Sequence, residues 1–291
     1  MAYKTQIARE IREVSALQSL TEVYGEIAAI RMKKIRGLVL KNRDFLSAIE
    51  SIFKDALSSY SEKLFGLFKA GKIRAGQKVT FLSHNGKTVA VLISANTRFY
   101  GDVVKETFEK FIDEIRRGDF EVTIIGRVGR SMFMAAEPKR PYTYFDLPDF
   151  GADPGQVSET IKHLVQYEQI RVYFAKYFSV VSQKPSTFDI SAGAKVEEVK
   201  GQAKTAFIFE PSLEKVLKFF ETQIFASLFD QSIRESQLAK SASRILAMDK
   251  AAASIKKRLK EIEFESTKLK HIEADKRLMD IVVPVLHIAK S

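Results

Sequence analysis

The sequence predicts an α/β domain inserted between two long terminal helices that run together. Three observations carry that expectation. From Ser212 to Val283 the chain has neither glycine nor proline, and the run is bracketed by Pro211 and Pro284. The first 65 residues also lack proline. Between these stretches, short apolar runs alternate with helical periods and turn residues, the pattern of a sheet layered with helices.

In the first helix apolar residues recur at Ile7, Ile11, Val14, Leu17, Leu20, Tyr24, Ile27, Ile35 and Leu38. That spacing of three to four predicts one apolar stripe. Gly25, Ala28 and Ala29 are small enough to let a second helix approach. The pattern resumes at Phe45, Ile49, Ile52, Phe53, Ala56, Leu57 and Tyr60 and ends near Gly66. Propensity alone holds an isolated helix poorly, so this face must be buried against a partner.

In the middle, residues 79–83, the turn His84-Asn85-Gly86-Lys87 and residues 88–94 read as strand, turn and strand. Residues 99–117 have a helical period closed by Gly118, and 120–125 form a strand-like run ending at Gly126. A strand is expected at 142–147, a helix at 156–167, a long strand at 171–183, and further strands at 187–190 and 206–209.

The last run is far longer than the ~11–12 residues of an ordinary helix. Rich in Ala, Glu, Lys, Leu and Ile, it is a rod that at ~1.5 Å per residue reaches roughly 100 Å. Pro284 is expected to end or kink it. The boundaries that follow are residues 1–66 for the first shaft helix, 67–210 for the inserted domain and 211–291 for the last shaft helix.

The chain has 291 residues, 45% of them apolar, enough for a real core. It has no cysteine, which excludes disulfides, thiolate catalysis and cysteine-ligated metals. No apolar run reaches the ~18 residues of a membrane-spanning helix. The N-terminus has no apolar signal core, and Glu10 and Glu13 argue against a transit peptide, so a soluble protein of the cytoplasm is expected. The net charge of +11 calls for a partner, whether nucleic acid, an anionic membrane surface or an acidic protein. Its bases cluster at Arg31, Lys33, Lys34, Arg36, Lys41 and Arg43, and again at Lys250, Lys256, Lys257, Arg258 and Lys260. Two solvated helix faces would account for these runs; so would a basic collar around a two-helix rod.

Signs of chemistry are weak. Gly66 to Ile73 spaces like G-x-x-x-x-G-K, but Ile73 stands where a magnesium-binding Ser or Thr is required, and helix precedes it instead of a strand. Gly126-Arg127-Val128-Gly129 hints at an anion-binding turn, but with only two glycines a strand-to-helix turn is the better account. The four histidines, His84, His163, His271 and His287, lack ligand spacing, and no nucleophile motif accompanies them. Acidic residues read as surface pairs, such as Glu261 with Lys256 or Lys257. No catalytic constellation, cofactor site or metal site is expected: the chain reads as mechanical.

Several ordered blocks resemble the gamma subunit of F-type rotary ATP synthases. Ile11-Arg12-Glu13-Val14 is similar to the family's R-I-x-S-V, Leu20-Thr21 to its I-T step, and Ile27-Ala28-Ala29-Ile30-Arg31-Met32 to V-A-A-x-K-M. Residues 207–212 resemble Y-x-x-E-P-S. Glu235-Ser236, then Arg244, Ala247, Met248 and Ala251, match E-S-x(6)-A-R-x-x-A-M-x-x-A in order and spacing, with Ala242 one place ahead of the motif's first Ala. Leu92-Ile93-Ser94 and Tyr100-Gly101 fall where the family has I-S-S-D-R-G-L-C-G-G, and Gly126–Gly129 resembles G-R-K-G. The resemblance spans the chain. It departs at Asn96-Thr97-Arg98, where the family has D-R-G, and at Glu22-Val23-Tyr24, where it has K-A-M. Lys240 replaces a Glu, Lys268-Leu269 replaces an R-Q pair, and Glu273 replaces a Thr.

The resemblance implies a Rossmann-like inserted α/β domain beside a shaft in which the two terminal helices pair as a long antiparallel coiled coil, turning inside a ring of alpha and beta subunits. It implies a non-catalytic rotor that couples ion translocation at the c-ring to ATP synthesis or hydrolysis, with the epsilon subunit against the foot. On that basis Arg31, Lys33, Lys34, Arg36, Arg244, Met248, Lys268 and Leu269 would meet the catalytic hexamer. Lys41, Arg43, Glu235 and Ser236 would lie toward the c-ring or epsilon side, with Arg31–Arg43 near Gln237–Lys250. No nucleic acid is implied, and membrane contact at the cytoplasmic face comes only through the complex. Two rivals share the rods: a coiled-coil scaffold with a recognition domain, and a rotor paralogue serving an ATPase motor that pumps no ions. A nucleic-acid binder is favoured by charge alone, without a recognition motif.

Overall fold

The computed structural model describes residues 2–69, 78–79, 84–191, 194–195, 210 and 212–288. In chain order the elements are α1 (Ala2–Lys69), β1 (Lys78–Val79), β2 (Thr88–Ile93), α2 (Val103–Arg117), β3 (Glu121–Ile125) and α3 (Arg127–Ala136). There follow β4 (Thr143–Phe145), α4 (Pro154–Leu164), β5 (Gln169–Ser179), β6 (Ser182–Ser191), β7 (Ala194–Lys195) and α5 (Leu213–Ile288). The chain divides into two compact units, Met1–Ala28 with Arg244–Ser291, and Ala29–Ser243. Among the described residues no helix is long and apolar enough to cross a membrane.

In the first unit the start of α1 and the end of α5 run antiparallel. Lys4 Nζ lies 2.8 Å from Glu273 Oε2, and Arg258 donates to Glu10 Oε1 at 2.6 Å. The less exposed positions of α1 here are Ile7, Ile11, Val14, Gln18, Thr21, Gly25 and Ala28; on α5 they include Met248, Ala252, Ile255, Leu259, Ile262, Ser266, Leu269 and Glu273. Both series step by alternating threes and fours. This is the seven-residue repeat of a coiled-coil seam.

That repeat corrects the expected stripe. Leu17 (52% exposed), Leu20 (54%), Tyr24 and Ile27 fall off the seam and face solvent. The polar Gln18 and Thr21 take seam positions that an apolar count passes over.

In the second unit the same repeat continues on α1 through Met32, Ile35, Val39, Asn42, Leu46, Ile49, Phe53 and Ala56. Ile35 and Val39 pack on Leu238, Phe53 meets Phe220 with ring centres 6.4 Å apart, and Asn42 Nδ2 donates to Ser227 O at 3.1 Å. The five-stranded sheet beside them has the order β4-β3-β2-β5-β6. Strands β2 to β5 are parallel, and β6 returns antiparallel on β5.

The two faces of the sheet separate by alternation. Val89, Val91, Ile93, Ile170, Val172 and Phe174 pack with Leu164 of α4 and with Phe225, Phe229 and Ile233 of α5. Ala90, Leu92, Val122, Ile124 and Tyr173 face Phe108, Phe111 and Ile115 of α2 and Phe133 of α3. Strand β2 is apolar on both faces because it is central, as parallel strands generally are. One terminal helix thus also forms a layer of the α/β domain.

Several expectations change in detail. Strand β1 pairs with β7 and not with β2, whose two edges are taken by β3 and β5. Asn85 still makes its turn, its Oδ1 accepting from Lys87 N at 2.9 Å. Helix α2 begins four residues later than expected, since Phe99 has φ +70° and Gly101 φ +58°, values no α-helix accepts. Helix α5 continues past Pro284 to Ile288 rather than ending there. The expected strand at 206–209, residues 80–83 of the one expected at 79–83, and most of the G-x-x-x-x-G-K stretch lie outside the described residues. Pro185 sits within β6 opposite Ala175. Among the described strands β6 has a neighbour on one side only, the setting in which a strand tolerates proline.

Candidate functional site: the helix pair and the crevice that α5 closes

The residues expected to carry function are distributed along both helices. Arg31 and Lys34 both lie over the ring of Phe150, at 5.3 Å and 5.5 Å from its centre, while Lys33, Arg36 and Lys41 are exposed. Arg43 reaches the buried Glu235, which also accepts from Gln231 at 3.2 Å. Ser236 is fully buried. Ile35 and Val39 therefore face Leu238, and Arg43 faces Glu235. In the other unit Met248 lies beside Gly25, Arg244 lies over the Tyr24 ring at 5.8 Å, Leu269 is half-buried on the seam and Lys268 is exposed. The facing partners of the basic run thus begin before Gln237 and include Glu235. Glu261 pairs with Arg258 rather than with Lys256 or Lys257.

Two of the sequence departures meet in one place. The connections of a doubly wound sheet reverse between β2 and β5, and the crevice beyond the carboxyl ends of such strands is where these sheets take ligands. Here α5 closes it. Lys240 Nζ donates to Ser94 O at 2.7 Å and to Asp149 Oδ1 at 3.1 Å, with the two side chains only 5% and 8% exposed.

Asp149 also accepts from Asn96 N at 3.0 Å, Thr97 N at 2.8 Å and Thr97 Oγ1 at 2.9 Å. Burial pushes its pKa up. The charge of Lys240 and the hydrogen bonds from Asn96 and Thr97 outweigh that and hold it below the usual carboxylate value. Three residues along α5, Ser243 Oγ donates to Tyr100 O at 2.6 Å. A buried lysine on a helix predicts a buried acid somewhere, but nothing in the spacing singles out Asp149.

The turn at Gly126 is a strand-to-helix turn. Its donors are engaged within the protein: Arg127 N to Asn96 Oδ1 at 2.8 Å, Val128 N to Ala95 O at 2.8 Å and Gly126 N to Phe145 O at 3.2 Å. Gly126 has φ +100°, and a Cβ there would stand 2.9 Å from Ala95 N and O. The amides are thus committed to holding β2, β4 and α3 together. An open cavity of about 520 Å³ lies beside the turn, bounded by Thr97, Phe99, Lys105, Arg127 and Met132.

Of the histidines, His163 is wedged between Phe145 and Tyr167, its Nε2 3.2 Å from Thr123 Oγ1. Burial lowers its pKa, partly opposed by Glu121. Burial and a hydrogen bond to Glu121 push the Tyr167 hydroxyl up to about 12. This cluster packs the entry to β3 and shows no nucleophile. Among the described residues no three acidic or histidine side chains gather as metal ligands would.

The model of the ATP synthase family matches residues 4–284. The ATP synthase gamma chain of Mesoplasma florum is 22% identical over 257 residues, covering 86% of each chain. That of Heliobacterium modesticaldum is 21% identical over 295 residues, covering 95% of this chain and 96% of its own. Among solved structures, a chain from the central stalk and c-ring of the Tetrahymena thermophila mitochondrial ATP synthase superposes with a TM-score of 0.57 at 18% identity, covering 80% of this chain and 99% of that one. A chain from the OSCP, F1 and c-ring portion of the Euglena gracilis mitochondrial ATP synthase gives 0.53 at 14%, covering 89% and 96%.

Proposed function

Because this chain belongs to the ATP synthase gamma-chain family, we infer that its paired helices work as the shaft of a rotary ATP synthase. It is a non-catalytic central-stalk subunit. It carries torque between the c-ring and the alpha/beta hexamer, coupling ion translocation to ATP synthesis or hydrolysis. Its partners are the alpha, beta and epsilon subunits and the c-ring. The chain rides in a membrane-attached complex, on the cytoplasmic face of the cell membrane, and binds the membrane only through that complex.

The exposed strip Leu17–Leu20–Tyr24–Ile27 carries this reading. Its helix already has a complete seam for its own partner, so a second apolar strip supports an enclosing surface. A ring around the shaft would cover it from outside. Arg31, Lys33, Lys34 and Arg36 would then meet acidic loops at the mouth of the hexamer, where salt weakens attraction beyond a Debye length of ~8 Å. Arg244, Met248, Lys268 and Leu269 would act on the hexamer side, the half-buried Met248 and Leu269 by shaping the seam and the buried Arg244 by holding the Tyr24 ring. Lys41, Arg43, Glu235 and Ser236 would hold the foot side together.

Co-expression with alpha and beta subunits from the same source tests this. A complex of one such chain with three of each partner is expected, its ATP hydrolysis dependent on the chain. No complex under any salt condition, with intact partners, would return the helices to a scaffold role.

A further inference from the structure

We propose that Lys240 is a pin that locks α5 into the sheet's ligand crevice and passes twist between the shaft helix and the α/β domain. The proposal rests on the rotor reading and adds the residue through which the two parts of the rotor are joined. Along Phe225, Phe229 and Ile233, α5 meets the sheet through apolar side chains. Apolar packing is non-directional, so that surface alone resists rolling or sliding of a helix weakly. Rotation about the shaft loads this surface in that direction.

At the strand ends the contact changes in kind. The Lys240 ammonium is bonded to a backbone carbonyl and to a carboxylate, and that carboxylate is fixed by two loop amides and a hydroxyl. Ser243, on the same face of α5, takes the carbonyl of Tyr100 at the far end of the same loop. Helix α5 therefore holds both ends of the Ser94–Tyr100 loop, and a one-turn slip would leave two buried charges without their counter-charges.

Buried ion pairs add little net stability, and their best-attested use is to fix register. The residue types fit that use. Reversing the pair would not restore it, because the amides of Asn96 and Thr97 need an acceptor at position 149. The pin is thus directional: cation on the helix, anion on the loop.

The test uses the assembled, membrane-reconstituted complex, reading ATP hydrolysis and ATP-driven ion pumping in parallel. The variant Lys240→Met with Asp149→Asn removes both charges at similar volume. It is expected to assemble and hydrolyse ATP like the parent, while ions pumped per ATP fall several-fold. A covalent pin should restore them. A Cβ at Gly101 would stand 2.8 Å from Ser243 Oγ, within reach of a disulfide after Gly101→Cys and Ser243→Cys. It comes at the cost of a side chain at φ +58°, so the reduced double-cysteine chain is the reference; this chain has no native cysteine. With those cysteines added to the neutralised variant, diamide is expected to raise the pumping ratio and dithiothreitol to lower it again. The same variant without cysteines should respond to neither.

An unchanged ratio after neutralisation overturns the proposal. So does a parallel loss of assembly, hydrolysis and pumping that the oxidised cross-link fails to restore, which would make the pair structural only. Failure of the unsubstituted chain to assemble would instead count against the rotor reading, and that control is scored first.

Discussion

The Cβ that Gly25 lacks would stand 3.7 Å from the Cβ of Met248. That is an ordinary van der Waals distance, so the seam has room for one methyl group and little more. Gly25→Ala is therefore expected to stabilise the helix pair by about 0.5–1 kcal/mol, the usual helical cost of glycine against alanine. Gly37→Ala, with nothing within 4 Å, should do the same. Calorimetry of the isolated chain should show a Tm rise for both, whereas Gly25→Leu should lower it.

The opposite sign is expected at the sheet. A methyl on Gly126 would press on the Ala95 backbone at a φ of +100°, and one on Gly129 would stand 2.5 Å from Ser94 Cβ. Neither neighbour is a flexible side-chain end. Each alanine variant is expected to lose about 2–4 kcal/mol in urea unfolding. Equal stability of Gly126→Ala and the parent would contradict the packing of α3 on β2 described above.

Acid should act in two windows. His163 is held below its ordinary 6.5, so the unfolded chain takes up the proton first; its contribution is complete above pH 6.5 and is lost as pH falls through the folded value. Asp149 is held below its ordinary 3.8, so its contribution is present above that value and is lost as pH falls through the still lower folded one. Urea midpoints recorded against pH should flatten in the first window for His163→Gln and in the second for Asp149→Asn.

Along the shaft, charge and stiffness should separate. Replacing Lys33, Lys34 and Arg36 together by Gln is expected to weaken coupling only in part, because exposed charges each contribute little. Ala247→Pro removes a backbone donor inside α5 and should cost about 3 kcal/mol or more. Rotation assays on assembled complexes compare the two; a triple variant as inactive as the proline variant would reverse this ranking.

The exposed strip makes a cleaner test of assembly. Leu17→Gln with Leu20→Gln touches no seam position, so the free chain should keep its stability within about 0.5 kcal/mol. Co-purification with alpha and beta subunits should nevertheless drop. Unchanged assembly would mean that the strip faces water in the complex too.

Much of this was legible in residue order. The break-free run announced α5, and the buried strands announced the sheet, because each depends on local periodicity. The seam was misplaced for a physical reason: a spacing of three to four fits both strips of α1, and only burial separates Ile7–Val14–Thr21–Ala28 from Leu17–Leu20–Tyr24–Ile27. The pairing of β1 with β7 is not legible around Asn85-Gly86, because pairing partners are chosen by the whole sheet. The Lys240–Asp149 pair joins residues 91 positions apart, one of them in a loop without a pattern. The departures at Asn96-Thr97 and Lys240 were visible separately, but not that they meet.

Pro185 has a consequence for the chain before it finds any partner. Among the described strands β6 is a ten-residue outer one, and such a strand is a template on which a second molecule can add its own. Proline offers no N–H, so such a template has a gap midway, and Lys184 opposite Lys176 adds like charge beside it. An outer strand that lacks a donor at Pro185 and pairs lysine with lysine beside it is a poorer template for a second copy of the chain than an unbroken one.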